Sequence, residues 1–175
     1  MNEAFAAVTP SIARRIASML YEGVLLFAVA FFAANLFRFA SAAAPLEGWL
    51  IYAQQGFLCA VFAAYFLWCW LRGGQTLAMK AWRIRLVAPG FARIPARVAL
   101  LRFILALITL GALGLALLAA LVHRSGNTYT FVGLALACIG PGWALFDADR
   151  QFLHDRLAGT RLVLVEPERG ARTGA

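Results

Sequence analysis

Charged residues are scarce in this chain, and their scarcity excludes an ordinary soluble domain. Only 14% of the 175 residues are charged, whereas 63% are hydrophobic. In soluble domains about one quarter of the residues are charged and about one half are apolar. The composition is typical of a protein whose solvent is the lipid bilayer.

Cysteine and histidine are also scarce, which argues against most metal and disulfide sites. The three cysteines, Cys59, Cys69 and Cys138, lie in apolar segments and lack the spacing of metal ligands. The two histidines, His123 and His154, fall on opposite sides of the membrane in the topology that the charges indicate. We therefore expect no structural metal, no disulfide and no cofactor.

Four long apolar segments account for most of the chain. They run over approximate residues 16–37, 49–71, 98–122 and 129–146. At about 1.5 Å per helical residue, each can cross a hydrocarbon core of about 30 Å, with some local thinning for the last. The first is too long for a cleavable signal peptide and contains Glu22, so we expect it to remain as a span. The sequence predicts one all-α membrane domain over residues 1–175: four transmembrane helices, a basic cytoplasmic loop at 72–97 and a cytoplasmic tail at 147–175.

The basic residues lie almost entirely on one side of these segments. All but two of the sixteen Lys and Arg residues share that side, and the exceptions are Arg38 and Arg124. Because positively charged loops stay in the cytoplasm, we expect a multi-pass inner-membrane protein with both termini cytoplasmic. Its net charge of +8 fits contact with anionic lipid headgroups, or a role as orientation signals alone, and we expect no nucleic acid partner.

Aromatic residues mark the ends of the spans. Tyr65, Trp68 and Trp70 close the second span, and Tyr129 and Trp143 lie toward the two ends of the fourth. Tyr and Trp are enriched where a span meets the headgroups. The sequence therefore predicts that these side chains are interfacial anchors.

The central loop has the pattern of folded structure. Thr76 is placed to cap a short helix over residues 75–81, and apolar and basic residues alternate over residues 82–86. A period of two indicates an extended strand. A second extended stretch, residues 161–165, follows the fourth span on the same side. We expect the two stretches to pair into a small cytoplasmic β element, which would satisfy their backbone groups.

Glu22 is the most unusual residue of the first span, because it lies about two turns inside the cytoplasmic end. A carboxylate there is costly unless it is paired, protonated or facing a polar cavity. Arg15 and Ser18 share its helical face, and Arg102 lies at a similar depth on the third span. We expect an ion pair of Glu22 with Arg102 or Arg15. Such a pair serves either as a proton or cation site or as a structural salt bridge that fixes helix register.

A second polar cluster follows the fourth span and contains Asp147, Gln151, His154, Asp155, Gly159 and Thr160. Read as a helix, it places Gln151 and Asp155 on one face, with Asp155 toward the cytoplasmic mouth of the bundle. An adjacent His and Asp are typical of general-base catalysis. However, no nucleophile, phosphate loop or metal cluster accompanies them, and sequence neighbours do not face each other on a helix. We therefore expect that the protein is not an enzyme.

Three short stretches of the sequence are considered together. They are Arg14-Arg15-Ile16-Ala17 followed by Glu22, then Gly74-Gln75-Thr76-Leu77, and then Gln151 followed by His154-Asp155-Arg156-Leu157-Ala158-Gly159-Thr160. In order and spacing they resemble the RDD family of small prokaryotic membrane proteins. The family takes its name from an arginine and two aspartates. By resemblance, Arg15 or Arg14 corresponds to the arginine, Glu22 to the first acid, and Asp155, or less closely Asp147, to the second. Glu22 departs from the family pattern by one methylene, which keeps the charge but displaces the carboxylate.

The resemblance implies a fold and topology more directly than an activity. We expect a transport-associated role, for an ion or a small solute, with a polar site that Glu22 forms with Arg15, Arg102 and Asp155. Four spans enclose little aqueous volume, so transport would require a homo-oligomer or a membrane partner. The alternative is a structural or assembly protein whose buried charges fix helix packing.

Overall fold

Two long helices begin the structure, a computed structural model that describes residues 8–42, 45, 47–111, 138–139, 142–147 and 151–165. Helix α1 covers Ile12–Ala40 and helix α2 covers Trp49–Gly73. Both are long and apolar enough to cross a membrane. Each covers one predicted span, and α1 extends beyond its prediction at both ends.

The other two predicted spans are described only in part. Helix α4, Ala96–Ala106, continues into one π-helical turn over Leu107–Gly111, which covers the first part of the predicted span 98–122. Of the predicted span 129–146, the structure describes residues 138–139 and 142–146, including a short 3-10 turn at Trp143–Leu145. The four-span bundle and His123 therefore lie outside the described residues.

Large apolar side chains cover the outward faces of the two long helices. Seven of them are each at least 69% exposed: Leu20, Val24, Phe27, Phe32, Phe39, Trp49 and Tyr52. An apolar surface of this extent is unfavourable in water and is expected against lipid chains. The exposure therefore agrees with two membrane-spanning helices.

The central loop folds into a short helix and a strand. Helix α3, Leu77–Ala81, begins after Thr76, whose hydroxyl accepts a hydrogen bond from the Met79 N–H at 3.2 Å. Strand β1, Ile84–Val87, pairs antiparallel with strand β2, Arg161–Leu164. The predicted helix cap and the predicted two-stranded element are confirmed.

Gly74 connects the end of α2 to the sheet. It has φ +68°, and its N–H donates to the Trp70 carbonyl at 3.0 Å, which ends the helix. The Leu86 N–H donates to the Gly74 carbonyl at 2.7 Å. A Cβ atom at position 74 would lie only 2.6 Å from the Leu86 carbonyl oxygen, so the close approach of the two chains requires glycine.

The tail returns to the sheet through a short helix. Helix α5 covers Leu153–Leu157 and is preceded by Phe152 in an extended conformation. Gln151 therefore lies before the helix, and the prediction that it shares a helical face with Asp155 is wrong. Its amide oxygen accepts a hydrogen bond from the Leu162 N–H at 3.3 Å, which ties the segment to β2.

A small apolar core joins these elements. It contains Trp70 of α2, Met79 of α3, Ile84 and Leu86 of β1, Ala99 and Phe103 of α4, and Leu162 of β2. Since it draws residues from both strands and from three helices, the core holds the sheet against the ends of α2 and α4. This packing brings the tail close to the third predicted span, although Asp155 follows Arg102 by 53 residues in the sequence.

Candidate functional site

A polar stripe runs along the inner face of α1. Arg15, Ser18 and Glu22 are 1%, 5% and 9% exposed, whereas their neighbours Arg14, Ile16 and Tyr21 are exposed. The spacing of seven residues places the three on one face of the helix. The predicted stripe is confirmed, and Arg15 rather than Arg14 lies at the site.

Two hydroxyl groups hold the carboxylate of Glu22. The Tyr65 hydroxyl of α2 donates to Oε1 at 2.6 Å, and the Thr76 hydroxyl donates to Oε2. Since the Thr76 oxygen also accepts the Met79 N–H, one side chain both caps α3 and binds Glu22. Glu22 thus connects three helices through neutral donors.

The ion pair expected between Glu22 and Arg102 is replaced by another. Nε and Nη2 of Arg102 both lie 2.8 Å from Oδ1 of Asp155, and Asp155 is fully buried. The Thr160 hydroxyl also lies 3.5 Å from that oxygen. Among the described residues Glu22 forms an ion pair with neither Arg102 nor Arg15, so the prediction was wrong for both alternatives. The sheet and α5 place Asp155 against α4, and the hydroxyls of Tyr65 and Thr76 bind the oxygens of Glu22.

Trp70 lies under this ion pair. The Arg102 guanidinium carbon is 4.3 Å from the centre of the Trp70 ring, a cation–π contact. Trp70 is only 3% exposed, so its prediction as an interfacial anchor is wrong. Trp68, on the other hand, is 60% exposed and stacks on Arg72, as an anchor would.

Arg15 and Asp147 extend the charged cluster toward the tail. The negative charges of Asp155 and, more weakly, Asp147 attract the positive charge of Arg15. Its guanidinium lies 5.8 Å from the Phe152 ring centre. The Asp147 carboxylate accepts the Gln151 N–H at 2.9 Å. Both acids that the family resemblance offers as the second aspartate therefore interact with Arg15, but only Asp155 also binds Arg102.

His154 is buried beside the ion pair and is 2% exposed. Its ring stacks on Phe152, and its Nε2 lies 3.7 Å from Oδ2 of Asp155. The two neighbours approach each other, contrary to expectation, because both are on the inner side of α5. Burial lowers the pKa of His154 to about 4; Asp155 opposes this shift, and Arg102 adds to it. The imidazole is therefore neutral at physiological pH.

Gly159 and Thr160, the last two residues of the third family-like stretch, form the turn after α5. Gly159 has φ +65°, a conformation that favours glycine, and it directs the chain from the helix into β2. The Thr160 N–H donates to the Asp155 carbonyl at 2.9 Å. Thr160 therefore holds the backbone of Asp155 directly, and Gly159 allows the turn that places Thr160 there.

A cavity of about 430 Å³ lies between α1, α2 and α4. Its polar lining residues are Arg15, Ser18, Glu22, Thr76, Arg102 and His154, and apolar side chains form most of the wall. The apolar lining residues are Met19, Leu26, Phe62, Phe66, Trp70, Met79, Ile84, Phe103, Ala106, Leu107, Leu110, Phe152 and Leu162. Within the described ranges, no three His, Cys, Asp or Glu side chains gather as metal ligands.

Two partners of Glu22 were not predicted as site residues. Tyr65 was interpreted as an anchor, and Thr76 was expected only to cap a helix. Tyr65 lies 43 residues from Glu22 and Thr76 lies 54 residues away, so no local pattern connects them. The resemblance of the Gly74-Gln75-Thr76-Leu77 stretch to the family was the sequence feature that could have indicated Thr76 as a site residue.

One of three comparisons with known proteins gave a match. A model of the RDD family matches residues 9–159, a range that contains Arg15, Glu22, Arg102 and Asp155. Comparisons with curated proteins and with solved structures gave no match. With two apolar helices long enough to cross a bilayer and a family match over most of its length, the chain is a membrane protein that belongs to the RDD family.

Proposed function

We propose that this protein has a transport-associated role for an ion or a small solute, with a polar site centred on Glu22. The observation that carries the proposal is a buried carboxylate on a membrane helix, bordering a cavity and held by two neutral hydroxyls. Neutral donors stabilise a carboxylate without cancelling its charge. A carboxylate in this setting can exchange a proton or a cation as its surroundings change.

Arg15, Arg102 and Asp155 support this site in the proposal. Arg102 and Asp155 form a buried pair beside the cavity, and Arg15 borders the cavity from α1. Their charges set the electrostatic field that a solute meets at Glu22. Since none of these groups is arranged as an activated nucleophile with its base, we also propose that the protein is not an enzyme.

The proposed topology has four spans in the inner membrane and both termini in the cytoplasm. Its support is the distribution of Lys and Arg, of which all but two residues lie on one side of the four apolar segments. In this topology the β1–β2 sheet is cytoplasmic and its basic residues meet anionic headgroups. We further propose a homo-oligomer or a membrane partner, because four spans enclose little aqueous volume, and no nucleic acid partner.

A second candidate function is structural, in assembly or as an accessory subunit. It is favoured by the contacts of Glu22, which connects α1 to α2 through Tyr65 and to α3 through Thr76. Removing one member of a buried polar network leaves the others unsatisfied and destabilises the fold. In this alternative, the charges fix helix packing and bind no solute.

Glu22→Gln separates the two functions. The wild type, Glu22→Gln and the control Glu47→Gln are reconstituted in liposomes, and dissipation of a pH gradient is measured on adding monovalent cations. Glu47 is exposed before α2, so its substitution changes a charge outside the site. Thermal unfolding of each protein shows whether it is folded.

Transport predicts that wild type and Glu47→Gln dissipate the gradient and that folded Glu22→Gln does not. The structural function predicts no dissipation by the wild type and a large loss of stability in Glu22→Gln. Undiminished dissipation by folded Glu22→Gln would contradict the proposed role of this residue.

A further inference from the structure

The buried carboxylate of Glu22 has no counter-ion among the residues that the structure describes. Its two oxygens accept hydrogen bonds from the neutral hydroxyls of Tyr65 and Thr76, and no Lys, Arg or His nitrogen in the described ranges forms an ion pair with it. Asp155, in contrast, binds the guanidinium of Arg102. A buried carboxylate on a membrane helix is unfavourable unless a positive charge or a proton balances it. A cationic ligand would supply that charge.

The two arginines that line the cavity interact with acids of the tail. Arg102 is paired with the fully buried Asp155, and Arg15 is attracted by Asp155 and Asp147. Glu22 follows Arg15 by seven residues on the same face of α1, which is about 10 Å along the helix axis. The carboxylate of Glu22 therefore meets the cavity two helical turns away from Arg15 and its acidic partners.

Hydrogen-bond acceptors remain at Glu22 for a cationic head. Glu22 lines the cavity and is 9% exposed. A carboxylate offers about four lone-pair positions, of which the hydroxyls of Tyr65 and Thr76 use two. The hydroxyl of Ser18, one turn earlier on the same face of α1, also lines the cavity and can accept a hydrogen bond. An ammonium group donates up to about three hydrogen bonds, so Glu22 and Ser18 together fit a primary ammonium head.

Beyond Glu22 the wall of the cavity is apolar. Leu26, one turn further along α1, lines the cavity together with Phe62 of α2 and with Leu107 and Leu110 of the π-helical turn. The volume of about 430 Å³ lies within the range of about 300 to 1,000 Å³ that small-molecule sites occupy. A bare cation is instead bound by several oxygen ligands that converge on one point. The wall therefore fits a ligand whose cationic head is attached to a hydrocarbon body.

We propose that the solute of this site is a hydrophobic primary amine in its protonated form. Its ammonium head binds Glu22 and Ser18, on the side of the cavity away from the tail. Its hydrocarbon body lies along Leu26, Phe62 and Leu107, where burial removes apolar surface from water. This inference rests on the proposed function, because it names the class of solute that the Glu22 site takes.

The test measures equilibrium binding of radiolabelled hexylamine to the full-length protein in phosphatidylcholine nanodiscs at neutral pH, with empty nanodiscs subtracted. Hexanoate and hexanol, which have a chain of the same length and an anionic or neutral head, are the comparison ligands. We expect saturable binding of hexylamine that exceeds binding of the other two at least about tenfold. Equal binding of all three, or no saturable binding of hexylamine, would overturn the proposal.

Glu22→Gln tests the contact with the ammonium head. The variant loses the negative charge, and we expect it to bind hexylamine at least about tenfold more weakly. The control Glu47→Gln changes an exposed charge before α2 and should bind like the wild type. Wild-type binding by Glu22→Gln, shown to be folded by thermal unfolding, would contradict the assignment.

Gly23→Leu tests the cavity while Glu22 is retained. Gly23 lines the cavity, and a Cβ there would meet no atom within 4 Å, so the leucine side chain takes up space beside Glu22. Leucine also favours a helix more than glycine does, so this variant keeps the test decisive if Glu22→Gln unfolds. We expect hexylamine to bind it at least about tenfold more weakly. Gly56→Leu is the matched control, because a Cβ there is equally free and the position, on α2, does not line the cavity. Equal binding by the two leucine variants would place the amine elsewhere and overturn the assignment.

Phosphatidylethanolamine in the nanodiscs tests a lipid headgroup with the same ammonium group as the occupant. Unchanged affinity for hexylamine supports a free amine, whereas displacement of hexylamine would overturn it in favour of the lipid. The liposome assay with monovalent cations is independent of these measurements. Flux that depends on Glu22 without amine binding would remove this inference alone. Amine binding that depends on Glu22 without flux would remove the transport role and leave a binding site for the amine.

Discussion

Nε and Nη2 of Arg102 both lie 2.8 Å from Oδ1 of Asp155, which joins α4 to a residue 53 positions later in one buried ion pair. Trp70 covers the guanidinium and the Thr160 hydroxyl lies near the carboxylate. The pair holds the tail against the membrane domain. Glu22 is bound instead by the hydroxyls of Tyr65 and Thr76, so the two buried acids have different surroundings.

Asp155→Asn should destabilise the protein by about 3 kcal/mol, because it leaves the buried charge of Arg102 without its counter-ion. Arg156→Gln is the control on the same helix. The Arg156 side chain is 58% exposed and lies 3.7 Å from Asp147, so its loss should cost at most about 1 kcal/mol. Thermal unfolding of both variants in the same nanodiscs measures the difference. Equal stabilities would show that the Arg102–Asp155 pair contributes no more than a surface contact.

Thr76→Val should destabilise the protein by about 2 kcal/mol. The change removes the helix cap that binds Met79, and it leaves Oε2 of Glu22 without its hydroxyl donor. Thr76→Ser retains the hydroxyl and should lose less than half as much. Both variants are compared by thermal unfolding, and a Val variant as stable as the wild type, or a Ser variant as unstable as the Val variant, would contradict the role of the hydroxyl.

Gly74→Ala should destabilise the protein by about 1 to 3 kcal/mol. Alanine is strained at φ +68°, and its Cβ would lie 2.6 Å from the Leu86 carbonyl oxygen. Gly73→Ala is the matched control, because a Cβ there meets no atom within 4 Å and the residue is the last of α2. It should be neutral or stabilising by up to about 1 kcal/mol. A Gly74→Ala variant with wild-type stability would contradict the close contact between α2 and β1.

The free energy of unfolding should fall as the pH is lowered, because His154 binds a proton more readily in the unfolded chain. Burial holds its folded-state pKa at about 4, below the ordinary 6.5. Between these values the unfolded chain binds a proton that the folded protein does not, so the free energy of unfolding decreases as the pH falls from 6.5 to 4. The loss from this group is about 3 kcal/mol across that window, and none arises above it.

His154→Gln tests that pH dependence, since glutamine cannot titrate. Unfolding of wild type and variant is measured between pH 8 and pH 4, and we expect the wild type to lose about 3 kcal/mol more than the variant. Parallel curves would show that His154 is not held neutral. The two curves should run parallel above pH 6.5 in either case.

The sequence alone determined the features that depend on local pattern. Hydrophobic length indicated the helices of the first two spans, and the spacing of Arg15, Ser18 and Glu22 indicated a polar face, because a helix repeats every 3.6 residues. Alternation indicated the strands, and the order of motif residues identified the RDD family. Each of these signals lies within one segment, except the motif order, which needs only the positions of three stretches along the sequence.

Only the tertiary structure decided which polar groups bind each other. The depth of Arg102 and Glu22 made their pairing reasonable, but the sheet of β1 and β2 brings Asp155 to Arg102 and the cap of α3 brings Thr76 to Glu22. These contacts join residues more than 50 positions apart. Burial of Trp70 was likewise decided by packing against Arg102 and the core, since an aromatic residue at a helix end fits an interface and an interior equally well.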